Sequence, residues 1–538
     1  MSSAIFKNVT CVQCGEREAF VFIRRNGEGD EGCDIALCES CAKGRGISAG
    51  KGGFELNIDD LIGDSLDSSR LPGAGIACPG CGLELVALKR EARLGCSRCA
   101  DAFFHEISRI LGRRAVSAPG RPRADREPRP VAASERRRLD RELAAALASE
   151  DYETAARLRD ELSRAIPSPL PTAPATFVAA PAARAAGDFP FDPGAFDDTE
   201  GAEDDVVLCT SARVCRNIDA LPFPGSPGGP SNPSRAALRE KILSYGFWRE
   251  ATMAGLGPVA RRSLSERGIV PRGYAADDAA IVLSDAEDGL YALLDEGDHL
   301  RVRSVVPGLD PSGAIDGALS FAARVGEDFA FARKDGIGWI CSRISDCGIG
   351  CTLSATIHIP AIVAAGMRDR LFKTLLSDGA ALKGFYSSSE ESAGSVYELR
   401  IDPSNAATVD ELVAEILSAL AKVIAAERRA RAEIVEKGRD ALVDAEGRAF
   451  GIARHCRLLG AEEAASLLSV LRLAALRSSL VGADHRVMGS LLQALGPGSV
   501  ALASGMGGIP SPSTLDTLRA RLVKDALARA EYVIEEGA

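Results

Sequence analysis

The sequence predicts a multidomain chain: small metal-stapled modules and a helical hairpin, then a mixed α and β domain, then a helical C-terminal domain. Three observations predict it. Nine of the 15 cysteines lie in the first 99 residues, most of them in Cys-x-x-Cys pairs. Two Pro-rich stretches, 113–134 and 167–204, divide the chain as solvated linkers. From about residue 205 strand and helix patterns mix, and after about 428 the pattern is almost wholly helical. A chain of 538 residues is too long for one core.

Composition narrows the classes. Apolar residues make up 46% and charged residues 26%, as in soluble globular material. The net charge of −11 argues against a bulk nucleic-acid binder, whose affinity comes from neutralising phosphates. No run of 18 uncharged apolar residues occurs, so no membrane span is expected. The start, MSSAIFKNVTCVQC, lacks the basic and apolar regions of a signal peptide. The expected location is the cytoplasm, where thiols stay reduced.

The N-terminal modules are expected at 1–60 and 70–112. The first offers Cys11, Cys14, Cys38 and Cys41; the second offers Cys78, Cys81, Cys96 and Cys99. Each Cys-x-x-Cys places two thiolates on one turn, and two turns complete a tetrahedron around Zn²⁺. Four thiolates leave no open position for water, so two structural zinc sites are expected. Cys33 and His105 are spare ligands. The run from Gly44 to Lys51 has P-loop composition but the wrong spacing, and is read as a loop.

Residues 135–166 carry Leu139, Leu143 and Leu147 at helical spacing, then Leu158 and Leu162 after a break at 149–151. Two short amphipathic helices bury too little area alone, so a protein partner is expected. The run YETAARLRDEL resembles the UVR motif, a docking hairpin. Together with CPGCGLEL and ARLGCSRC, the order of these segments is similar to that of the zinc-finger activators of bacterial protein arginine kinase.

In the mixed domain, 205–427, a strand enters a loop holding Arg213 and Arg216, and a strand at 290–305 carries clustered charge in its middle. GWICSRISDCGIGCTLSATIHIPAIV reads as strand–loop–strand, with His358 a core or edge histidine, and GFYSSSEESAG as a polar loop. These segments, with the helical region 428–538, resemble the phosphagen kinase (ATP:guanido phosphotransferase) superfamily and its bacterial protein arginine kinases. The resemblance implies an α+β fold, an antiparallel sheet flanked by helices, with ATP and Mg²⁺ as cofactors.

The superfamily's phosphate loop, Ser-Ser-Arg-x-Arg-x-x-Arg-Asn, falls on Thr210–Asn217. The first arginine is Ser211; Arg213 and Arg216 keep the others. Its Asn-Glu-Glu-Asp-His-Leu-Arg falls on Asp295–Arg301, with the base at Gly297 and the phosphate arginine kept as Arg301. Gly-Thr-Gly-Leu-Arg becomes Gly348–Thr352. Arg-Gly-x-x-Gly-Glu becomes Lys383–Ser388, where lysine keeps charge without the bidentate fork. The reactive cysteine falls near Arg343, two residues from Cys341. Arg-Asp-x-x-Arg-Ala, linked to phosphoarginine sensing, becomes Leu515–Ala520.

The resemblance therefore implies residual phosphate contacts at Arg213, Arg216, Arg301 and Lys383, and a degenerate kinase acting as regulator or adaptor. A Clp-type AAA+ unfoldase is the implied partner, with a homodimer through the C-terminal helices. The alternative is an active kinase that relocates its carboxylates and proton transfer to Glu296, Asp298, His299 or Glu390/Glu391. A nucleic-acid-associated UVR protein is the third reading.

Overall fold

The computed structural model describes residues 76–111 and most of 201–533, without 220, 225, 227–232, 246–247, 286–288, 386–391 and 402–405. It also describes four short strands before residue 57 and two helical positions, Thr154 and Arg157. The first cysteine quartet lies outside the described residues, as does the 135–166 hairpin apart from those two positions.

Strands β1 (Val21–Arg24) and β2 (Asp34–Leu37) pair antiparallel, as do β3 (Ile47–Gly50) and β4 (Gly53–Leu56). The segment read as a loop over 44–51 thus enters a hairpin, register Gly50 to Gly53. Residues 76–111 carry helices α1 (Leu85–Glu91), α2 (Cys99–Ala102) and α3 (Phe104–Leu111).

The main body is an eight-stranded antiparallel sheet. Its strands are β5 (Val207–Arg216), β6 (Arg249–Thr252), β7 (Ile281–Asp285), β8 (Leu290–Glu296), β9 (Asp298–Pro307), β12 (Cys351–His358), β13 (Ala380–Gly384) and β14 (Val396–Ile401), in the order β13-β14-β12-β5-β9-β8-β7-β6. A small ribbon, β10 (Arg333–Lys334) with β11 (Gly338–Trp339), precedes β12. Alternation puts Ala212, Val214, Leu300, Val302, Leu353 and Leu399 on one face. Helices Pro311–Val325 and Val409–Lys437 cover that face and close the core. The antiparallel α+β architecture is the one expected. Its opposite face carries Arg213, Arg303, Ser354 and Glu398; the register sets Arg213 opposite Arg303 and Thr352, Ser354 opposite Ser211 and Arg400, and Glu398 opposite Thr356.

Two local readings change. Arg213 and Arg216 lie within β5, not in a following loop. The charged run at 290–305 is two strands, β8 and β9, and its Asp-Glu-Gly-Asp is the hairpin turn between them. Asp295 (φ 61°) and Gly297 (φ 73°) take the left-handed backbone that reverses the chain. Clustered charge therefore marks a turn end and not a strand interior.

Beyond the sheet, helices Arg439–His455, Ala461–Leu476, His485–Gln493 and Pro512–Ala526 form a second core around Leu468, Leu471, Met488, Leu492 and Leu527, while helix Pro497–Ala503 packs Val500 and Ala501 against Val259 and Leu515. Among the described residues, no helix is long and apolar enough to cross a membrane.

Candidate functional site

Two sites stand against each other. The first is the cysteine quartet. The turn after Cys78 closes through Gly82 N–H to Cys78 O (2.9 Å), with Gly82 at φ 74°. The second knuckle closes through Cys99 N–H to Cys96 O (3.1 Å). Sulfur separations are 3.7 Å for Cys78–Cys96, 3.4 Å for Cys81–Cys99 and 3.9 Å for Cys96–Cys99. A tetrahedral site of four sulfurs with Zn–S near 2.3 Å has S···S edges of about 3.8 Å, so the donor set fits zinc. The backbone fits too: a Cβ on Gly95 would lie 2.7 Å from Cys81 Sγ, and one on Gly80 would lie 2.9 Å from Cys96 Sγ. His105 is exposed on α3 and is not one of the clustered donors.

The second site lies at the β8–β9 turn end of the sheet. Asp298 is fully buried. Its Oδ1 accepts from Asn217 Nδ2 (2.7 Å) and from Ser342 N–H (2.7 Å); its Oδ2 accepts from Arg301 Nη2 (2.9 Å). Arg301 also pairs with Glu296. Arg213 Nη2 lies 3.3 Å from Asp346 Oδ1. Asp346, on the short 3₁₀ turn Ile344–Asp346, comes together with Asp298 and the Cys215 thiol: their potential ligand atoms all lie within 4.8 Å of one another.

Burial raises the Asp298 carboxyl to about 6; the Ser342 amide opposes this and the Asp346 charge adds to it. Burial pushes the Cys215 thiol up to about 12. It pulls Arg301 below the ordinary guanidinium value; burial pulls on Arg213 too, but the combined charges of Asp346, Cys215, Asp298 and Glu398 oppose it and the value rises.

The remaining expected residues fare differently. Arg216 is buried, donates to the Cys215 and Gly350 carbonyls (2.7 and 2.9 Å) and stacks on Trp339 at 4.1 Å. His299 is fully buried, accepts from Ile218 N–H (3.2 Å), and is pulled down to about 4 by burial, so its ring is neutral. Lys383 is exposed on β13, opposite Glu398. Glu390 and Glu391 lie outside the described residues. His358 is buried, within 2.8 Å of Ser469 Oγ. In the Leu515–Ala520 segment, Arg519 donates to Asp516 (2.6 Å) and Leu495 O (2.9 Å).

Asp346 is not a candidate from sequence. Its only signal there is an acidic residue inside the apolar run 338–351. Arg303, cross-strand partner of Arg213, is also missed, because register cannot be read from one strand.

Family models match three segments: the McsA central zinc-finger domain at 76–118, the ATP:guanido phosphotransferase C-terminal catalytic domain at 243–430, and the protein-arginine kinase McsB C-terminal domain at 439–536. The protein-arginine kinase of Geobacillus thermodenitrificans (strain NG80-2) is 26% identical over 346 residues, 63% of this chain and 94% of the relative. That of Moorella thermoacetica is 27% identical over 339 residues, 61% and 95%. Among solved structures, the duplicated taurocyamine kinase from Schistosoma mansoni with bound transition state analog components matches at TM-score 0.40 and 16% identity. That match covers 62% of this chain and 40% of the taurocyamine kinase chain.

Proposed function

We propose that this chain, which is similar to protein-arginine kinases and carries a segment matched by the McsA central zinc-finger model in the same polypeptide, is a kinase-like regulator of bacterial protein quality control whose phosphotransfer site is degenerate. One observation carries the reading: of the three arginines kept for phosphate, Arg213 and Arg301 are ion-paired with Asp346, Asp298 and Glu296, and Arg216 is held by the Cys215 and Gly350 carbonyls. Nucleotide phosphates would have to displace these carboxylates. A buried pair, once formed, is strongly unfavourable to break. The base position is Gly297, whose backbone makes the turn.

The four cysteines at 78, 81, 96 and 99 hold zinc structurally in this reading. The 135–166 hairpin docks a Clp-type AAA+ unfoldase, as its UVR likeness implies, and the C-terminal helices form a homodimer. The protein acts in the cytoplasm.

A second reading is favoured by the same cluster. Carboxylates do reach Arg213 and Arg301, and Asp298, raised to about 6, has the proton affinity of a general base. That arrangement suits an active kinase with a relocated carboxylate.

Calorimetry with Mg·ATP on the full chain, followed by a phosphoarginine assay on a basic protein, separates the two. The regulator reading expects no turnover, and ATP binding that strengthens at least about tenfold in Asp346→Asn, where Arg213 is released. Phosphoarginine formation by the wild type, abolished in Asp298→Asn, would establish the kinase and sink the regulator.

A further inference from the structure

The two sites are joined by a short path of backbone. Residues 92–96 lead into the second cysteine knuckle and pair with the body on both sides. Leu94 N–H donates to Ser342 O (2.7 Å), and Ile344 N–H donates to Ala92 O (2.9 Å). On the other side Phe223 N–H donates to Gly95 O (2.8 Å). Lys334 pairs with Asp101, and the Phe104 ring fills the space that a side chain at Gly336 would need. The apolar interior is shared: Leu88, Leu94, Phe103 and Ile107 pack into one core with Phe223, Ile340 and Ile344. A short module that supplies half of another core is not a free-standing unit.

Ser342 is the hinge of the connection. Its carbonyl faces the cysteine module through Leu94, and its amide faces Asp298. Gly95 is held on one side by the Cys81 sulfur, where no Cβ fits, and on the other by Phe223. The hydrogen bonds on either side of the Ser342 backbone therefore link the sulfur cluster to the Asp298–Arg301 pair. The module has too little apolar area of its own to hold residues 92–96 without the metal.

We infer that the four-cysteine module is a metal-dependent clamp on the arginine–carboxylate network. With metal bound, residues 92–96 hold the Ser342–Asp346 loop, and so keep Asp298 and Asp346 against Arg301 and Arg213. When the metal leaves, that strand loosens and the loop is released, while the sheet core and the C-terminal helices stay folded. The inference is independent of whether phosphotransfer survives.

The test is hydrogen exchange read by mass spectrometry on the full chain, zinc-loaded and after removal of zinc by a chelator. The Ser342–Cys347 amides should lose at least about tenfold in protection on zinc removal, because Ile344 N–H loses its Ala92 acceptor and the loop that presents Ser342 N–H to Asp298 is released. Peptides from 439–530 should not change, and added zinc should restore the loop. Loss of protection confined to 76–111, or spread evenly over the whole chain, overturns the clamp. Leu94→Arg provides a second arm. It should retain zinc by metal assay yet show the same loss at 342–347; zinc retained with that loop still protected also overturns the inference.

Discussion

Asp298 and His299 are neighbours on β9 with opposite titrations. Asp298 is raised to about 6, so it contributes stability that is present below the ordinary aspartate range and lost as pH rises through about 6. His299 is lowered to about 4, so its contribution is present above the ordinary imidazole range and lost as pH falls through about 4. Between these values the two slopes oppose and flatten the profile. Urea midpoints across the range bounded by these values should therefore fall, relative to wild type, in His299→Gln as pH rises, and climb in Asp298→Asn. Parallel profiles for all three proteins would show that neither group titrates as buried. The same residues explain why one site is half legible in the sequence. Asp298, Arg301 and Asn217 sit in motif-like runs, whereas Asp346 and Ser342 reach the site only through the turn at 344–346.

Among the elements, the entry to β12 depends on one glycine. Gly350 takes φ +64°, and a Cβ there would lie 2.6 Å from Arg216 Nη1 and 2.9 Å from Trp339 Cβ. Its carbonyl also accepts from Arg216. Gly350→Ala should cost about 2–3 kcal/mol, from left-handed strain plus displacement of the buried guanidinium. Denaturant titration would read the loss, with a change in Trp339 emission; an unchanged midpoint and spectrum would refute it. The strands themselves are visible as alternating apolar runs. The β8–β9 turn is not, since a charged Asp-Glu-Gly-Asp inside an apolar run reads equally as an active-site strand until its pairing is known.

Across the described residues, a buried cation is among the ties between the sheet and the C-terminal helices, beside the His358–Ser469 contact. Arg472, on the helix Ala461–Leu476, donates to the carbonyls of Asp204, Asp205 and His485, and lies against His358 of β12. Burial lowers it to about 10, and the Arg431 charge adds to that shift. Arg472→Met should cost about 3–5 kcal/mol, because several buried carbonyls lose their donor. Calorimetry should then resolve two thermal transitions where the wild type has one. A single transition within about 2 °C of wild type would mean that the two bodies are coupled elsewhere.

Local spacing and runs of contiguous residues are enough to place the cysteine quartet at 78–99, the order of the zinc, sheet and helical segments, and the resemblance to protein-arginine kinases. Other features exist only in the folded chain. The cysteine module shares a core with the kinase-like body, Arg213 and Arg301 already hold carboxylates, and Arg216 is committed to Trp339 and Gly350. The physical reason is sequence separation. Leu94 meets Ser342, and Arg213 meets Asp346, across distances in the chain that no local pattern spans. Strand register, which sets those meetings, is a property of the folded sheet and not of any strand alone.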